Sequence, residues 1–92
     1  MKATSMRYLR ERNIVCARLA VLHEELRVLR KILNELIDNV VFKGLANKRV
    51  TPDEVLQIKF QKRRIRVRVG LYRTLQDNAM SLSGKLLRYD MR

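Results

Sequence analysis

Seven cations crowd a stretch of this chain that holds no carboxylate. Lys59, Lys62, Arg63, Arg64, Arg66, Arg68 and Arg73 lie between Val55 and Gln76, where neither Asp nor Glu occurs. Converging positive side chains without internal counter-charges are what a phosphate backbone needs from a protein. Arginine predominates, and its planar guanidinium donates paired hydrogen bonds that suit phosphate oxygens or base edges. As a helix, the stretch places Lys59, Lys62, Arg63, Arg66 and Arg73 on one broad face. As a strand, it projects Arg64, Arg66 and Arg68 together. Lys48 and Arg49 add two cations in a polar segment upstream. The same pattern also describes a solvated helix face, or a set of partners for acidic residues on another subunit.

The remaining chemical groups are sparse. His23 precedes Glu24 and Glu25, but there is no second histidine, and the single cysteine, Cys16, is too isolated to complete a zinc ligand set. His23 is therefore expected on the edge of a packed helix. Cys16 has basic neighbours of the kind that activate a thiol, yet it lies beside the apolar positions of a helix, where a small buried hydrophobe is the simpler expectation. No Ser/His/Asp set, glycine-rich phosphate cradle or carboxylate pair is present. The expectation is a protein without enzymatic activity, metal, cofactor or small-molecule substrate.

Size and composition bound the rest. A chain of 92 residues makes one helical domain at most, with residues 59–73 as its basic segment. It is 47% hydrophobic with five aromatic residues and no Trp, so the core must be aliphatic. The net charge of +12 is strongly self-repelling and calls for an acidic partner: DNA or RNA, an acidic protein, or an anionic membrane. The membrane is the weakest of these, because the basic segment lacks the aromatic-rich apolar face of an interfacial helix. One cysteine, no apolar run after the charged first residues and no stretch of about 20 apolar residues predict an intracellular protein, cytoplasmic, nuclear or in a virion, and not a secreted one.

The elements that must position these cations are helices. Val15, Leu19, Leu22, Leu26, Leu29, Leu33, Leu36 and Val40 recur at alternating spacings of four and three, a heptad seam uninterrupted by Gly or Pro. A second apolar set, Ile14, Val21 and Val28 with Ile32 and Ile37, widens the apolar face beyond a two-stranded seam. The spacing predicts a leucine-rich helix over about 15–45, stopping near Gly44. The seam residues are expected to form the interface of a homo-oligomer or to bind a helical partner. Thr51-Pro52-Asp53-Glu54 reads as a capping box that opens a second helix at 52. Two stripes follow it: Val55, Ile58, Ile65, Val69 and Tyr72, and Leu56, Phe60, Val67, Leu71 and Leu75. Arg64 to Val69, however, alternates basic and β-branched residues with the period of a strand. Two readings follow: one helix from Pro52 to about Asn78, or a short helix, an extended basic segment and a last helix from Leu71. The lack of turn residues before Arg64 weighs toward the continuous helix. From Ser81 to Gly84 onward a break into a short final turn is expected, with Leu86, Leu87 and Tyr89 available to pack.

Two resemblances bear on this. Leu71-Tyr72-Arg73 matches the short signature of the small mitochondrial LYR proteins, but that signature belongs near the start of a first helix and here lies late in the chain. More broadly, Leu36-Ile37-Asp38-Asn39, Gly44-Leu45, Lys48-Arg49-Val50-Thr51 and Pro52-Asp53-Glu54-Val55 resemble the long-helix end, second loop and third-helix start of the core-histone family. That resemblance implies a helix at about Thr4–Arg12, a loop at Asn13–Ala17, a central helix at Arg18–Leu45 and dimerisation as a handshake. It also implies that Arg18, Lys48, Arg49 and Thr51 face DNA phosphates. The sequence departs from the pattern in its first loop, which lacks a glycine or a helix-starting serine. The expected fold class is therefore all-α, a helical hairpin or histone-like handshake that oligomerises. Its expected role is binding nucleic acid through phosphates, or as an adaptor in a virion- or secretion-type assembly.

Overall fold

A computed structural model describes residues 3–90, with side chains up to residue 88. The fold is all-α: α1 spans Ala3–Leu45 and α2 spans Pro52–Asp90, with no strand among the described residues. The two helices pack as a helical hairpin.

The turn between them is set by local chemistry. The Lys48 amide donates to the Lys43 carbonyl at 2.8 Å and the Asn47 amide to the Gly44 carbonyl at 3.2 Å, while Asn47 sits at a positive φ of 54°. This is the Schellman arrangement, with Asn47 in the left-handed position that absorbs the change of direction. The helix thus ends where the sequence suggests, but through Asn47; Gly44 has no positive φ and lies inside α1. The α2 start keeps the Thr51 half of the expected capping box, while the Glu54 side chain turns to Lys43 instead of the cap amide. The Thr51 hydroxyl accepts a hydrogen bond from the Glu54 amide at 3.3 Å, Pro52 occupies the first turn, and Asp53 and Glu54 complement the positive end of the helix dipole.

Tertiary contacts group the chain into two compact units, residues 24–69 and the segments up to 23 and from 70 onward. In the 24–69 unit, Lys43 meets Glu54, the Leu29 carbonyl meets Gln61 and Glu25 meets Arg68, so the helices run antiparallel. Along α1 the inward positions are Leu26, Leu29, Leu33, Leu36 and Val40; along α2 they are Glu54, Ile58, Gln61, Ile65 and Arg68. Both sets follow the alternating four-three spacing of a heptad. In the other unit, Val15, Leu19 and Leu22 of α1 turn inward, as do Tyr72, Leu75, Ala79, Leu82 and Leu86 of α2. There Lys85 Nζ lies 5.4 Å from the centre of the Tyr8 ring.

Several expectations change in the folded chain. The first helix begins at Ala3 rather than about residue 15, and Asn13–Ala17, where the histone resemblance implies a loop, is helical. No Gly or Pro interrupts the chain between Ala3 and Lys43, and the Arg7–Glu11 pair at 3.2 Å adds support along one face. Arg64–Val69 is helical, the reading that the missing turn residues favour. Its strand-like alternation loses because Ile65 and Val69 half-bury at helical spacing, and packing overrides β-propensity. The expected break after Ser81 is absent: α2 continues to Asp90, because Leu82 and Leu86 extend the same inward stripe. Leu86 is buried and Leu87 exposed, whereas the Tyr89 side chain lies outside the described residues. Cys16, expected to be buried, is exposed.

Candidate nucleic-acid interface

The continuous α2 sorts its residues into three faces. The inward face carries Ile58, Gln61, Ile65 and Arg68. Lys59, Lys62 and Arg66 lie on one outward flank, while Leu56, Phe60 and Val67 lie on the other, with Arg63 at the border. Lys59, Lys62, Arg63 and Arg66 rim an open depression of about 360 Å³ together with Leu56 and Phe60. Their spacing covers two helical turns, roughly 10 Å of axis, so the four charges present as one patch. All four side chains are exposed, and no carboxylate interrupts α2 between Val55 and Gln76.

The other predicted cations are not part of this patch. Arg68 turns toward α1, where its Nε donates to Glu25 Oε2 at 3.1 Å. Arg64 lies one turn before Arg68 on that same edge, and Arg68 Nη1 donates to the Arg64 carbonyl at 3.5 Å. Arg73 is exposed in the other unit. Lys48 and Arg49 are exposed in the inter-helix turn, with Lys48 Nζ 5.8 Å from the centre of the Phe42 ring. Of the residues to which the histone resemblance gives a DNA role, Arg18 lies exposed within α1, and Thr51 is spent on capping α2. His23 is exposed on α1, and no group of metal-ligating side chains occurs among the described residues.

The seam residues Val15, Leu19, Leu22, Leu26, Leu29, Leu33, Leu36 and Val40 are all buried or half-buried within the single chain. The hairpin thus covers Leu22 and Leu26 and part of the surface of the other six. The row expected to widen this face behaves differently, since Ile14, Val21, Val28 and Ile32 remain exposed while Ile37 is half-buried. On α2, Ile58, Ile65, Val69, Tyr72 and Leu75 are half-buried, whereas Val55, Leu56, Phe60, Val67 and Leu71 are exposed.

The contacts of three polar residues with α1 were not legible in the sequence. Glu54, Gln61 and Arg68 recur every seven residues on the inward stripe of α2, and each reaches across to α1. Gln61 Nε2 donates to the Leu29 carbonyl at 3.0 Å from a buried position. Lys43 Nζ donates to Glu54 Oε1, while Glu54 Oε2 is enclosed without a partner. The Lys43 ammonium holds the Glu54 carboxyl below its ordinary range, against the opposing effect of desolvation. The Lys43 charge and the Thr51 hydroxyl and backbone add to the lowering. Polar groups at seam positions fix register between helices. Their seven-residue recurrence was the available signal, hidden because each is polar in an otherwise apolar row.

Comparison with protein-family models, with characterised proteins and with solved structures gives no match. No helix of the described residues is long and apolar enough to cross a membrane.

Proposed function

We propose that this is a non-enzymatic helical protein that binds DNA or RNA through the phosphate backbone, with α2 as the contact element. The observation that carries this reading is the exposed patch of Lys59, Lys62, Arg63 and Arg66 on a carboxylate-free stretch of helix. Phosphate contact uses such cations without demanding a deep pocket or a base-specific side chain. Lys48 and Arg49 are secondary candidates for backbone contact, and Arg73 extends the basic sequence. Arg68 contributes least, because Glu25 already engages it.

The test is fluorescence anisotropy with a labelled duplex and a labelled single strand, using nuclease-treated protein. Binding at low salt is expected for both probes. Replacing Lys59, Lys62, Arg63 and Arg66 together by Ala should weaken it by at least about 100-fold while helicity by circular dichroism is retained. No binding of either probe at low salt would sink the proposal.

A second reading, an adaptor that docks an acidic protein helix, draws on a specific feature. Phe60 is 60% exposed beside the cations, and Leu56 joins it in the depression. Apolar side chains add little to phosphate contact but would serve an amphipathic partner. Retention of an acidic amphipathic peptide at high salt, with nucleic acid lost, favours the adaptor.

A further inference from the structure

The 24–69 unit leaves one side of its helix pair both apolar and charged in a self-complementary way. On α1, Val28 and Ile32 are 43% and 40% exposed, and they share their face with Glu25 and Glu35. On α2, Phe60 and Val67 are 60% and 66% exposed, flanked by Arg63 and Arg64. The Glu25–Arg68 bridge shows that these are the same side of the pair. Glu25 lies on the Val28 flank of α1, and Arg68 lies one turn beyond Arg64 on the adjoining edge of α2. One surface thus carries an apolar row edged with carboxylates beside an apolar row edged with guanidiniums.

We infer that a second copy of this chain covers that surface, giving a two-fold dimer in which α1 of each copy packs against α2 of the other. A two-fold axis parallel to the helices superposes the acidic row of each copy on the basic row of its partner, which satisfies an isologous interface. It also keeps every neighbouring pair of helices antiparallel, as in an up-down four-helix bundle. Heights along the pair agree. Gln61 meets the Leu29 carbonyl and Arg68 meets Glu25, so Val28 and Ile32 stand at the level of the α2 segment from about Ile58 to Ile65, which holds Phe60. The leucine seam faces α2 within each chain, and Lys59, Lys62 and Arg66 stay on the flank that the partner leaves open.

The inference does not rest on phosphate binding and is tested without nucleic acid. Nuclease-treated protein at about 0.3 M salt, where charge repulsion is screened, is measured by light scattering after gel filtration. The expected mass is twice that of the chain. The variant Ile32→Asp with Phe60→Asp should have the mass of one chain and keep its helical circular dichroism. A trap guards against misfolding of that variant: in a Cys16→Ser background, Ile32→Cys with Phe60→Cys should oxidise to a covalent dimer on a non-reducing gel. A single-chain mass at about 100 μM, a dimer that survives the double Asp variant, or failure of the trap to cross-link would each overturn the inference. A chain that is monomeric alone and joins only an acidic peptide would also overturn it, and would assign the surface to that partner.

Discussion

At the residue scale, Asn47 determines where α1 turns. A non-glycine residue in the left-handed region costs roughly 1–2 kcal/mol, and Asn tolerates it better than most. Asn47→Ala should therefore lower stability by about 1 kcal/mol and Asn47→Gly should hold or raise it. Urea midpoints with an unchanged slope would show this; equal effects of Ala and Gly would contradict the assigned role. Glu54 gives a pH dependence with a definite sign. Its folded-state carboxyl is held below the ordinary value of 4.5, so its contribution is fully present above that value. It drains away as pH falls through the lowered folded value, when protonation releases Lys43. Thermal melts should therefore show a steeper acid-side loss of stability for the native chain than for Glu54→Gln, whose profile should flatten in that window. These residues were only partly legible beforehand. Thr51 and Glu54 form a local pattern that needs no tertiary knowledge, so their cap could be read directly. The Glu54–Lys43 pairing depends on which helix faces which, and no local spacing encodes it.

At the element scale, the leucine seam was legible because a heptad of apolar residues has one helical interpretation. The run from Arg64 to Val69 was less so, since β-branched residues at alternate positions satisfy a strand locally and only the lack of turn residues favoured the helix. The half-burial of Ile65 and Val69 settles it. The seam's partner was also hidden: its burial is reached inside the chain, because α2 carries a matching inward row in which Gln61 and Arg68 replace hydrophobes. Gly70 marks the weak point of α2. It sits in the helix interior with nothing within 4 Å of an added Cβ, and the Thr74 hydroxyl donates to its carbonyl at 3.1 Å. Glycine there leaves backbone entropy unopposed, so Gly70→Ala should stabilise the fold by about 0.5–1 kcal/mol. A rise in melting temperature is the expected readout. A fall would mean that this position needs freedom that the packing does not reveal.

At the scale of the whole molecule, the net charge of +12 has its most specific consequence in how binding responds to salt. The basic character was legible from composition, but its usable part was not. Arg68 is occupied by Glu25 and Arg64 borders the proposed dimer surface, leaving Lys59, Lys62, Arg63 and Arg66 as the patch of the single chain, with Arg63 at its border to that surface. Four phosphate contacts give a slope of log affinity against log salt of about −3.6 on a duplex and about −2.8 on a single strand. On a duplex, raising salt from about 50 to about 200 mM should then cost roughly 150-fold in affinity. If a dimer engages one duplex with Lys59, Lys62 and Arg66 of both copies, the slope should approach about −5.4, and the Ile32→Asp, Phe60→Asp variant should return it to the single-patch value. Replacing the four patch residues should flatten the slope in either case. A slope that stays steep without them would place the phosphate contacts elsewhere, with Lys48, Arg49 and Arg73 as the next cations to remove.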